Sequence, residues 1–358
     1  MSALTEPQPA TPRRLALLGV GTVGSVLLQR LATLDALPLN LCLVANSRRR
    51  CVDADGLVPL AALQSLANPD AAAAGGIEDH AGDGQLPAFF APGDVVVDAT
   101  ASEALAAWHP RWLRRGLRVV TANKLGIGGP LLRPQRIRRQ LGQGGSYGDA
   151  ATVGAGLPLL RCVRELRSGG DHVNALAGVL SGTLAWLFDG YDGSTPFSDR
   201  VRAAVAAGYA EPDPRVDLSG EDVRRKLLIL ARAAGYPLDG GDVQVESLLT
   251  PALRQAGDSA ATDAALSSLD ERLAHRARDA ASKGQLLRYV ARFDRDGARI
   301  GLEALPGGDA LAQGGACDNR VAIWSCRYAE RPLVIQGPGA GAGVTAAALL
   351  DDIRRALG

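Results

Sequence analysis

The chain has 358 residues, of which 47% are hydrophobic and 22% are charged, and its formal net charge is +1 at pH 7. This length exceeds what one hydrophobic core usually supports, so the sequence predicts at least two domains. A charge this close to zero excludes the strong field expected of a protein that binds nucleic acid or an anionic membrane, and it favours a small-molecule partner. The five cysteines are isolated and form no CxxC pair, which argues against a disulfide framework or zinc ribbon and favours a reducing cytoplasm.

The first residues, 1–12, are small, polar and proline-rich, and they lack the basic and apolar segments of a secretory signal. We expect them to form a disordered tail. No apolar run approaches the roughly 18 residues that a membrane-spanning helix needs, so we expect a soluble cytoplasmic protein with no membrane partner.

Residues 13–150 alternate short apolar runs with amphipathic segments. The apolar runs predict strands at Leu15–Leu18, Leu39–Val44, Val95–Asp98 and Val119–Thr121, and the amphipathic segments predict helices at Val23–Leu34 and Leu105–Arg115. This alternation predicts an α/β domain with a Rossmann-type, doubly wound parallel sheet. Residues 57–92 have weak periodicity, and we expect only one or two helices there.

The first predicted strand is followed directly by the glycine turn Gly19-Val20-Gly21-Thr22-Val23-Gly24, and then by a predicted helix. In such a motif the glycines form the tight turn and let the backbone approach a pyrophosphate. The start of the helix, at Thr22 and Val23, offers unpaired N–H groups to the phosphates. The turn predicts an oxidoreductase with a nicotinamide dinucleotide; the alternative is an ordinary glycine turn.

The second predicted strand ends without the acidic residue that usually binds the ribose 2′-hydroxyl of NAD. The segment Ala45–Arg50 instead offers Asn46 and Arg48, which could pair with the 2′-phosphate of NADP. We therefore favour NADP and leave NAD open, the alternative for this segment being a solvated basic turn.

Two later strands of this domain end in polar residues, the first in Asp98-Ala99-Thr100 and the second in Thr121-Ala122-Asn123-Lys124. Ligands of open α/β sheets bind beyond the carboxyl ends of the strands. We expect Thr100 and Lys124 to face the nicotinamide half of the cofactor, although Lys124 could instead cap a surface helix.

A second, α+β domain is predicted over residues 151–336. It opens with Val153-Gly154-Ala155-Gly156-Leu157-Pro158, and its predicted helices and strand-like runs are Leu159–Arg167, Ala175–Leu180, 199–208, 220–234, 262–289, Leu286–Phe293 and Leu333–Ile335. A glycine-rich segment from Gly337 then leads to a last amphipathic helix, Val344–Leu357.

Ionisable residues are densest between Glu211 and Leu227. Two prolines stiffen the stretch that follows Glu211, and rigid carboxylates at Glu211 and Asp217 are suited to a substrate ammonium group. Ser219 and Asp222 have the spacing of a capping box at the start of the 220–234 helix.

Asp222 and Lys226 are four residues apart on that helix, so they share one face beside an apolar stripe. A lysine in such surroundings can donate or accept a proton at a carbonyl or alcohol oxygen. The alternative is an exposed ion pair with no chemical role.

Taken together and in order, these motifs closely resemble homoserine dehydrogenase. The matching segments are the glycine turn, Val97–Thr100, Thr121–Lys124, Val153–Pro158, Gly178–Leu184, Gly208–Pro214, Asp217–Gly220 and Asp222–Leu227. The resemblance implies interconversion of L-homoserine and L-aspartate 4-semialdehyde, in the pathway to threonine, methionine and isoleucine.

The resemblance also implies a role for each matching residue. Lys226 would be the general acid/base, with Asp222 orienting it or the substrate, and Lys124 would be a further catalytic residue near the nicotinamide and the reacting group. The substrate would contact Glu211, Asp217, Gly182 and Thr183. Gly339 or Gly341 would approach the cofactor, because the last helix packs back on the nucleotide domain, which residues 337–358 complete. Such enzymes are homodimers joined through a sheet of the second domain.

Two features depart from the family pattern. An acidic residue that often helps to bind a monovalent cation is replaced by Ala150, so sodium would depend on the backbone carbonyls of Val153, Ala155 and Leu157. The sequence leaves no room for a regulatory domain after the last helix, and we expect no threonine inhibition through one.

The four histidines have no metal-ligand spacing, which argues against a zinc dehydrogenase and favours lysine as the acid/base. Two further hypotheses stay open. The chain could be a dehydrogenase of another small amino acid or semialdehyde, or a dinucleotide-binding sensor without catalytic activity.

Overall fold

A computed structural model describes residues 12–34, 37–68, 76–80, 82–315 and 317–358. The disordered tail expected at residues 1–12 lies almost wholly outside this range. The chain forms two compact units. The first comprises the chain up to Gly126 together with Gln135–Ala151 and Ala342–Gly358, and the second comprises Ile127–Pro134 and Thr152–Gly341.

The α/β fold is confirmed. Up to residue 150 the elements are β1 (Arg13–Leu18), α1 (Thr22–Thr33), β2 (Leu39–Ala45), β3 (Arg49–Val52), α2 (Pro59–Ala67), β4 (Gly76–Asp79), β5 (Val95–Asp98), α3 (Glu103–Ala106), α4 (His109–Arg114), β6 (Arg118–Thr121), α5 (Leu125–Gly128), α6 (Leu132–Leu141) and β7 (Tyr147–Gly148).

The sheet of the first unit has seven strands in the order β4-β3-β2-β1-β5-β6-β7. The strands β2, β1, β5, β6 and β7 run parallel, whereas β3 and β4 are antiparallel additions at one edge. The chain order reverses between β1 and β5. In open α/β sheets, the crevice at the carboxyl ends of such neighbouring strands is where ligands bind.

Two features of this unit differ from the prediction. The strands β3 and β4 were not predicted, because they are short and largely exposed at their outer edge, so they carry little hydrophobic pattern. The segment 105–115 is divided between α3 and α4, since Pro110 stands in the first turn of α4, where its missing N–H and fixed φ are tolerated.

The remaining elements are α7 (Leu159–Ser168), β8 (Val173–Val179), α8 (Gly182–Phe188), α9 (Phe197–Ala206), α10 (Arg215–Leu218), α11 (Glu221–Ala233), β9 (Val243–Val245), α12 (Pro251–Gln255), α13 (Ser259–Ala265), α14 (Asp270–Ser282), β10 (Gln285–Asp294), β11 (Gly297–Pro306), β12 (Asp318–Ser325), β13 (Leu333–Pro338) and α15 (Ala342–Leu357).

The second unit contains a six-stranded sheet in the order β13-β12-β8-β10-β11-β9. All its pairs are antiparallel except that of β11 with β9. Apolar side chains of α7, α8, α9, α11 and α14 join those of the strands in one large core. This core surrounds most of α11 and so fixes the residues that α11 carries.

The capping box predicted for the start of α11 is wrong. Ser219 has helical backbone angles as the C-cap of α10, whereas an N-cap residue is extended. Gly220 is the N-cap instead, with φ of +79° and no side-chain cap hydrogen bond. Asp222 is therefore not used as a cap, and its carboxylate faces Lys226.

The helices of the described ranges include none with the length and apolar character needed to cross a membrane.

Candidate functional site

The candidate residues form two groups, one in each unit. The group in the first unit begins at the turn between β1 and α1. Gly19 has φ of +95°, and a Cβ there would lie 2.6 Å from Cγ2 of Thr100. A Cβ at Gly24 would overlap the Gly19 carbonyl oxygen. Both positions therefore require glycine.

The start of α1 is suited to phosphate groups. Its N-cap is Gly21, no side chain caps it, and its first turn, which includes Thr22 and Val23, contains no acidic residue. Unpaired N–H groups and the positive end of the helix dipole are thus combined at the carboxyl end of β1. The geometry fits a dinucleotide pyrophosphate.

The end of β2 is a tight polar turn. The Asn46 side-chain oxygen accepts hydrogen bonds from the backbone N–H groups of Arg48 and Arg49, each at 2.8 Å. The Arg48 side chain is exposed. The Arg50 side chain pairs with Glu78 at 2.7 Å across the antiparallel strands β3 and β4, so its guanidinium is already neutralised and the basic group left at this turn is smaller than the sequence suggested.

The ends of β5 and β6 are joined by a buried polar network, which the sequence analysis missed. The Asp98 carboxylate accepts hydrogen bonds from the Thr100 N–H at 2.9 Å, the Thr100 hydroxyl at 2.6 Å and the Asn123 amide at 2.9 Å. The network ties together the loops that carry Thr100 and Lys124. Lys124 itself is half-buried and directly precedes α5.

The group in the second unit is centred on Lys226, near the middle of α11. Its ammonium lies 2.8 Å from the Asp222 carboxylate and donates to the Leu180 carbonyl at 2.7 Å. The residue is only 8% exposed, although the Asp222 side chain remains 39% exposed. The pair is therefore not the exposed ion pair of the alternative interpretation.

Asp217 connects the other members of this group. Its carboxylate accepts a hydrogen bond from the Glu211 backbone N–H at 2.9 Å. Burial raises the pKa of this carboxyl group, and the negative charge of Asp222 raises it further, whereas hydrogen bonds from Glu211 and Thr183 and the charge of Lys226 lower it. Asp217 is therefore within hydrogen-bond or electrostatic reach of each of the other four residues.

The loops around Asp217 present two more candidate residues. The Thr183 hydroxyl donates to the Tyr209 carbonyl oxygen at 2.7 Å, and Glu211, two residues after Tyr209, is exposed. Gly182 is the first residue of α8, and a Cβ there would lie 3.2 Å from the Cys317 carbonyl oxygen. A larger residue would crowd this side of the group.

Gly339 packs against Asn319, whose amide would collide with any Cβ at that position. Asn319 is fully buried, and neither atom of its amide has a hydrogen-bond partner in the described structure. The sequence analysis did not single it out, since one asparagine in an apolar strand gives no pattern.

The loop considered for a cation has unusual backbone geometry. Ala155 has φ of +51° and is the non-glycine residue with a positive φ among those described. The Leu157 carbonyl already accepts a hydrogen bond from Leu159 at 2.8 Å, and Val153 is buried. Across the described ranges, no three His, Cys, Asp or Glu residues are grouped to hold a metal ion.

Comparison with known proteins gives two family matches. Residues 158–353 match the homoserine dehydrogenase family, and residues 19–140 match the homoserine dehydrogenase NAD-binding domain.

Individual relatives agree with these matches. The chain is 41% identical over 352 residues to bifunctional aspartokinase/homoserine dehydrogenase 2 of Escherichia coli, covering 95% of this chain but only 43% of that protein. It is 34% identical over 370 residues to homoserine dehydrogenase of Emericella nidulans, covering 97% of this chain and 99% of that one.

Solved structures with this fold include a Candida auris protein of unknown function, with a TM-score of 0.86, 29% identity and coverage of 96% of this chain and 98% of that one. A hyperthermophilic archaeal homoserine dehydrogenase in complex with NADPH has a TM-score of 0.71, 20% identity and coverage of 96% and 97%.

Proposed function

The chain belongs to the homoserine dehydrogenase family, and we propose that it interconverts L-homoserine and L-aspartate 4-semialdehyde with a nicotinamide dinucleotide. This reaction would serve the synthesis of threonine, methionine and isoleucine.

The observation that carries the proposal is the position of Lys226. The chain contains 39 lysine and arginine residues, yet only Lys124, Lys226 and Lys283 are lysines. Arginine stays protonated in proteins, whereas a lysine amine can lose and regain a proton. Two of these three lysines belong to the candidate groups, and Lys226 is the buried one.

Lys226 is equipped for proton transfer at the substrate oxygen. A lysine ammonium has three N–H donors, and the contacts with Asp222 and the Leu180 carbonyl use two of them. The third is left for a ligand. In the oxidation direction the neutral amine takes the hydroxyl proton, and in the reduction direction the ammonium returns it to the carbonyl oxygen.

Glu211 and Asp217 would bind the substrate ammonium group. Asp217 holds the Glu211 backbone, so the two carboxylates are kept in the same loop region, and Glu211 extends into solvent. With Asp222 they give the group three carboxylates against one lysine, an excess of negative charge that suits a cation. Gly182 and Thr183 would line the same substrate site.

The cofactor would be held in the first unit. Gly19, Gly21, Gly24 and the first turn of α1 would hold the pyrophosphate. The uncapped N–H groups of this turn support the proposal, and so does the tight backbone packing at Gly19 and Gly24, where a Cβ has no room. When bound, the cofactor supplies the acceptor or donor of the hydride. Thr100 and Lys124 would contact its nicotinamide half, and Gly339 is a further candidate for cofactor binding.

We infer a preference for NADP over NAD. The support is the exposed guanidinium of Arg48 beside Asn46, in the place where an acidic residue would bind the ribose of NAD. The archaeal relative of known structure is a complex with NADPH.

A monovalent cation, such as sodium, is proposed at the carbonyls of Val153, Ala155 and Leu157. The left-handed backbone at Ala155 supports it, because such strain is commonly associated with a functional loop. We also propose a homodimer through the second unit, supported by the exposed side chains of Leu286 and Val334 on its sheet.

The chain spans less than half the length of the Escherichia coli relative, so its activity needs a direct test. Purified protein is mixed with L-homoserine and NADP, and the absorbance of the reduced nicotinamide is followed. We expect the absorbance to rise. Folded protein that binds NADPH but reduces no NADP would instead indicate a sensor, and activity only with another amino alcohol would indicate a different dehydrogenase.

A further inference from the structure

The buried polar network that joins the ends of β5 and β6 extends from Asp98 to His109. Both Asp98 and His109 are fully buried, and His109 Nε2 lies 2.9 Å from Asp98 Oδ2. The Asp98 carboxylate therefore has four donors within hydrogen-bond distance, two of them from Thr100 and one each from Asn123 and His109. A carboxylate taken out of water keeps its charge only with such partners.

The tautomer of His109 follows from these contacts. A carboxylate oxygen accepts, so His109 must donate through Nε2–H. His109 Nδ1 lies 2.9 Å from the Tyr147 hydroxyl, which donates to it when the imidazole is neutral. The chain of contacts thus runs from Tyr147 through His109 to Asp98, and it joins β7 to the ends of β5 and β6.

This network encloses the segment that carries Lys124. On one side, the Asn123 amide donates to Asp98 at 2.9 Å and to the Ser102 carbonyl at 2.9 Å. On the other side, Gly126 lies so close to the Tyr147 hydroxyl and the His109 ring that a Cβ there would collide with both. Lys124 stands between these two fixed points.

We propose that Asp98, His109 and Tyr147 are positioning residues that hold Lys124 and Thr100 in register for the cofactor and substrate. The proposal rests on the proposed function, since it assumes that Lys124 and Thr100 lie at the reacting group. In this role the three residues need no contact with a ligand. They act through the two loops, because each contact in the network ends on Thr100, on Asn123 or beside Gly126.

The low number of lysines allows a test that does not depend on activity. The protein is treated with a limiting amount of an amine-acylating reagent, and mass spectrometry measures the rate of modification at Lys124, Lys226 and Lys283 separately. Lys283 is exposed and serves as the internal reference. The same samples are assayed for kcat and KM with L-homoserine and NADP.

The first variant is Asp98→Asn, which keeps the shape of the side chain but replaces one acceptor oxygen with an NH2 group. The amide therefore cannot accept hydrogen bonds from all four donors. We expect the acylation rate at Lys124 to change about threefold or more relative to Lys283, since the reactivity of an amine depends on its surroundings. We expect kcat to fall on the order of 10-fold through misplacement of Lys124. The KM for L-homoserine stays near that of the wild type.

The second variant, Tyr147→Phe, removes one hydroxyl and leaves the Asp98 contacts in place, so it decides the question if Asp98→Asn does not fold. We expect a smaller change in the same two measurements. The matched control is Tyr236→Phe, which removes a hydroxyl that lies 3.0 Å from His172 in the second unit and should leave Lys124 unaffected.

Unchanged acylation at Lys124 together with unchanged kcat in a folded variant would overturn the positioning role. A general increase at all three lysines would also contradict it, because that pattern indicates loosening of the whole fold. If the wild-type protein does not oxidise L-homoserine, the proposed function fails, but the acylation rates still decide whether the network holds Lys124.

Discussion

The two groups of candidate residues differ in how far their charged side chains are buried. In the first unit, the carboxylate of Asp98 is fully buried and has four protein donors within hydrogen-bond distance. In the second unit, the side chain of Asp222 is 39% exposed and Glu211 lies in solvent. The first group therefore uses its charge to hold loops, and the second keeps its charge available for a ligand.

This difference suggests how binding and chemistry are divided between the units. A satisfied network is rigid, because every change of position would leave a buried polar group without a partner. A partly exposed cluster can change its partners when a substrate arrives. We expect substitutions in the second unit to act on substrate chemistry and substitutions in the first to act on cofactor geometry.

The largest expected effect follows from Lys226. The variant Lys226→Ala should lower kcat on the order of 100-fold or more, since a positioned acid/base is lost. Lys226→Arg should be almost as impaired, because a guanidinium keeps the charge but does not release a proton. Steady-state assays with L-homoserine measure both.

The chain offers a matched control for this prediction. Asp279 and Lys283 form the same i,i+4 pair at the same distance of 2.8 Å, but Lys283 is 59% exposed. Lys283→Ala should leave kcat unchanged. If Lys226→Ala also left kcat near normal, Lys226 would not be the acid/base, and its burial would have only a structural role.

The next effect concerns substrate affinity. Glu211→Gln should raise the KM for L-homoserine on the order of 10-fold with little change in kcat, since a charge-assisted hydrogen bond contributes similarly to ground and transition states. Glu165→Gln, on the exposed face of α7, is the control. An unchanged KM would remove Glu211 from the ammonium site.

A smaller effect is expected on cofactor choice. Arg48→Ala should lower the preference for NADP over NAD by several-fold, because the variant loses one charge-assisted hydrogen bond to the 2′-phosphate. Arg50→Ala removes a neighbouring guanidinium that is already paired with Glu78, and it should change this preference less. The preference is measured as the ratio of kcat/KM for NADP to kcat/KM for NAD. If both variants lowered this ratio equally, the preference would come from the overall positive charge of the turn and not from a specific contact of Arg48.

The smallest effect concerns stability. Burial raises the pKa of Asp217 above its ordinary value of 3.8, so the folded state disfavours its charge. The contribution of this group to stability is present below pH 3.8 and is lost as the pH rises through the raised pKa. Asp217→Asn removes this loss, and its Tm relative to the wild type should therefore be higher at pH 7 than at pH 3.

For Asp192→Asn we expect the opposite dependence of stability on pH. Hydrogen bonds from Ser194 lower the pKa of Asp192 below 3.8, so its contribution to stability is present above that pH and is lost as the pH falls. Its variant should be relatively less stable at pH 7 than at pH 3. Thermal unfolding gives the Tm of each variant relative to the wild type between pH 3 and pH 7. If this difference changed with pH in the same direction for both variants, the opposite pKa shifts of Asp217 and Asp192 would be contradicted.

The sequence predicted what depends on local pattern. The glycine turn stands between a strand and a helix that periodicity identifies, and Asp222 and Lys226 meet because they are one helical turn apart. The family membership was also predicted from ordered motifs and is confirmed.

The parts that the sequence did not predict depend on contacts between distant residues. Asp98, His109 and Tyr147 meet only because β5, α4 and β7 are arranged around one sheet, and no spacing rule joins residues 11 and 38 positions apart. The capping box failed for a related reason. Ser219 fits the local pattern, but α10 already fixes its backbone as helical.

The return of α15 to the first unit has a consequence for how the protein is made. Residues 342–358 pack on α1 and on β5, β6 and β7, and their apolar side chains belong to the core of that unit. The whole second unit is synthesised before them. During translation the second unit can fold from nearly contiguous chain, whereas the core of the first unit must wait for α15. All seven strands of its sheet are made before residue 149, so the face that α15 covers is the region we expect to need protection from aggregation.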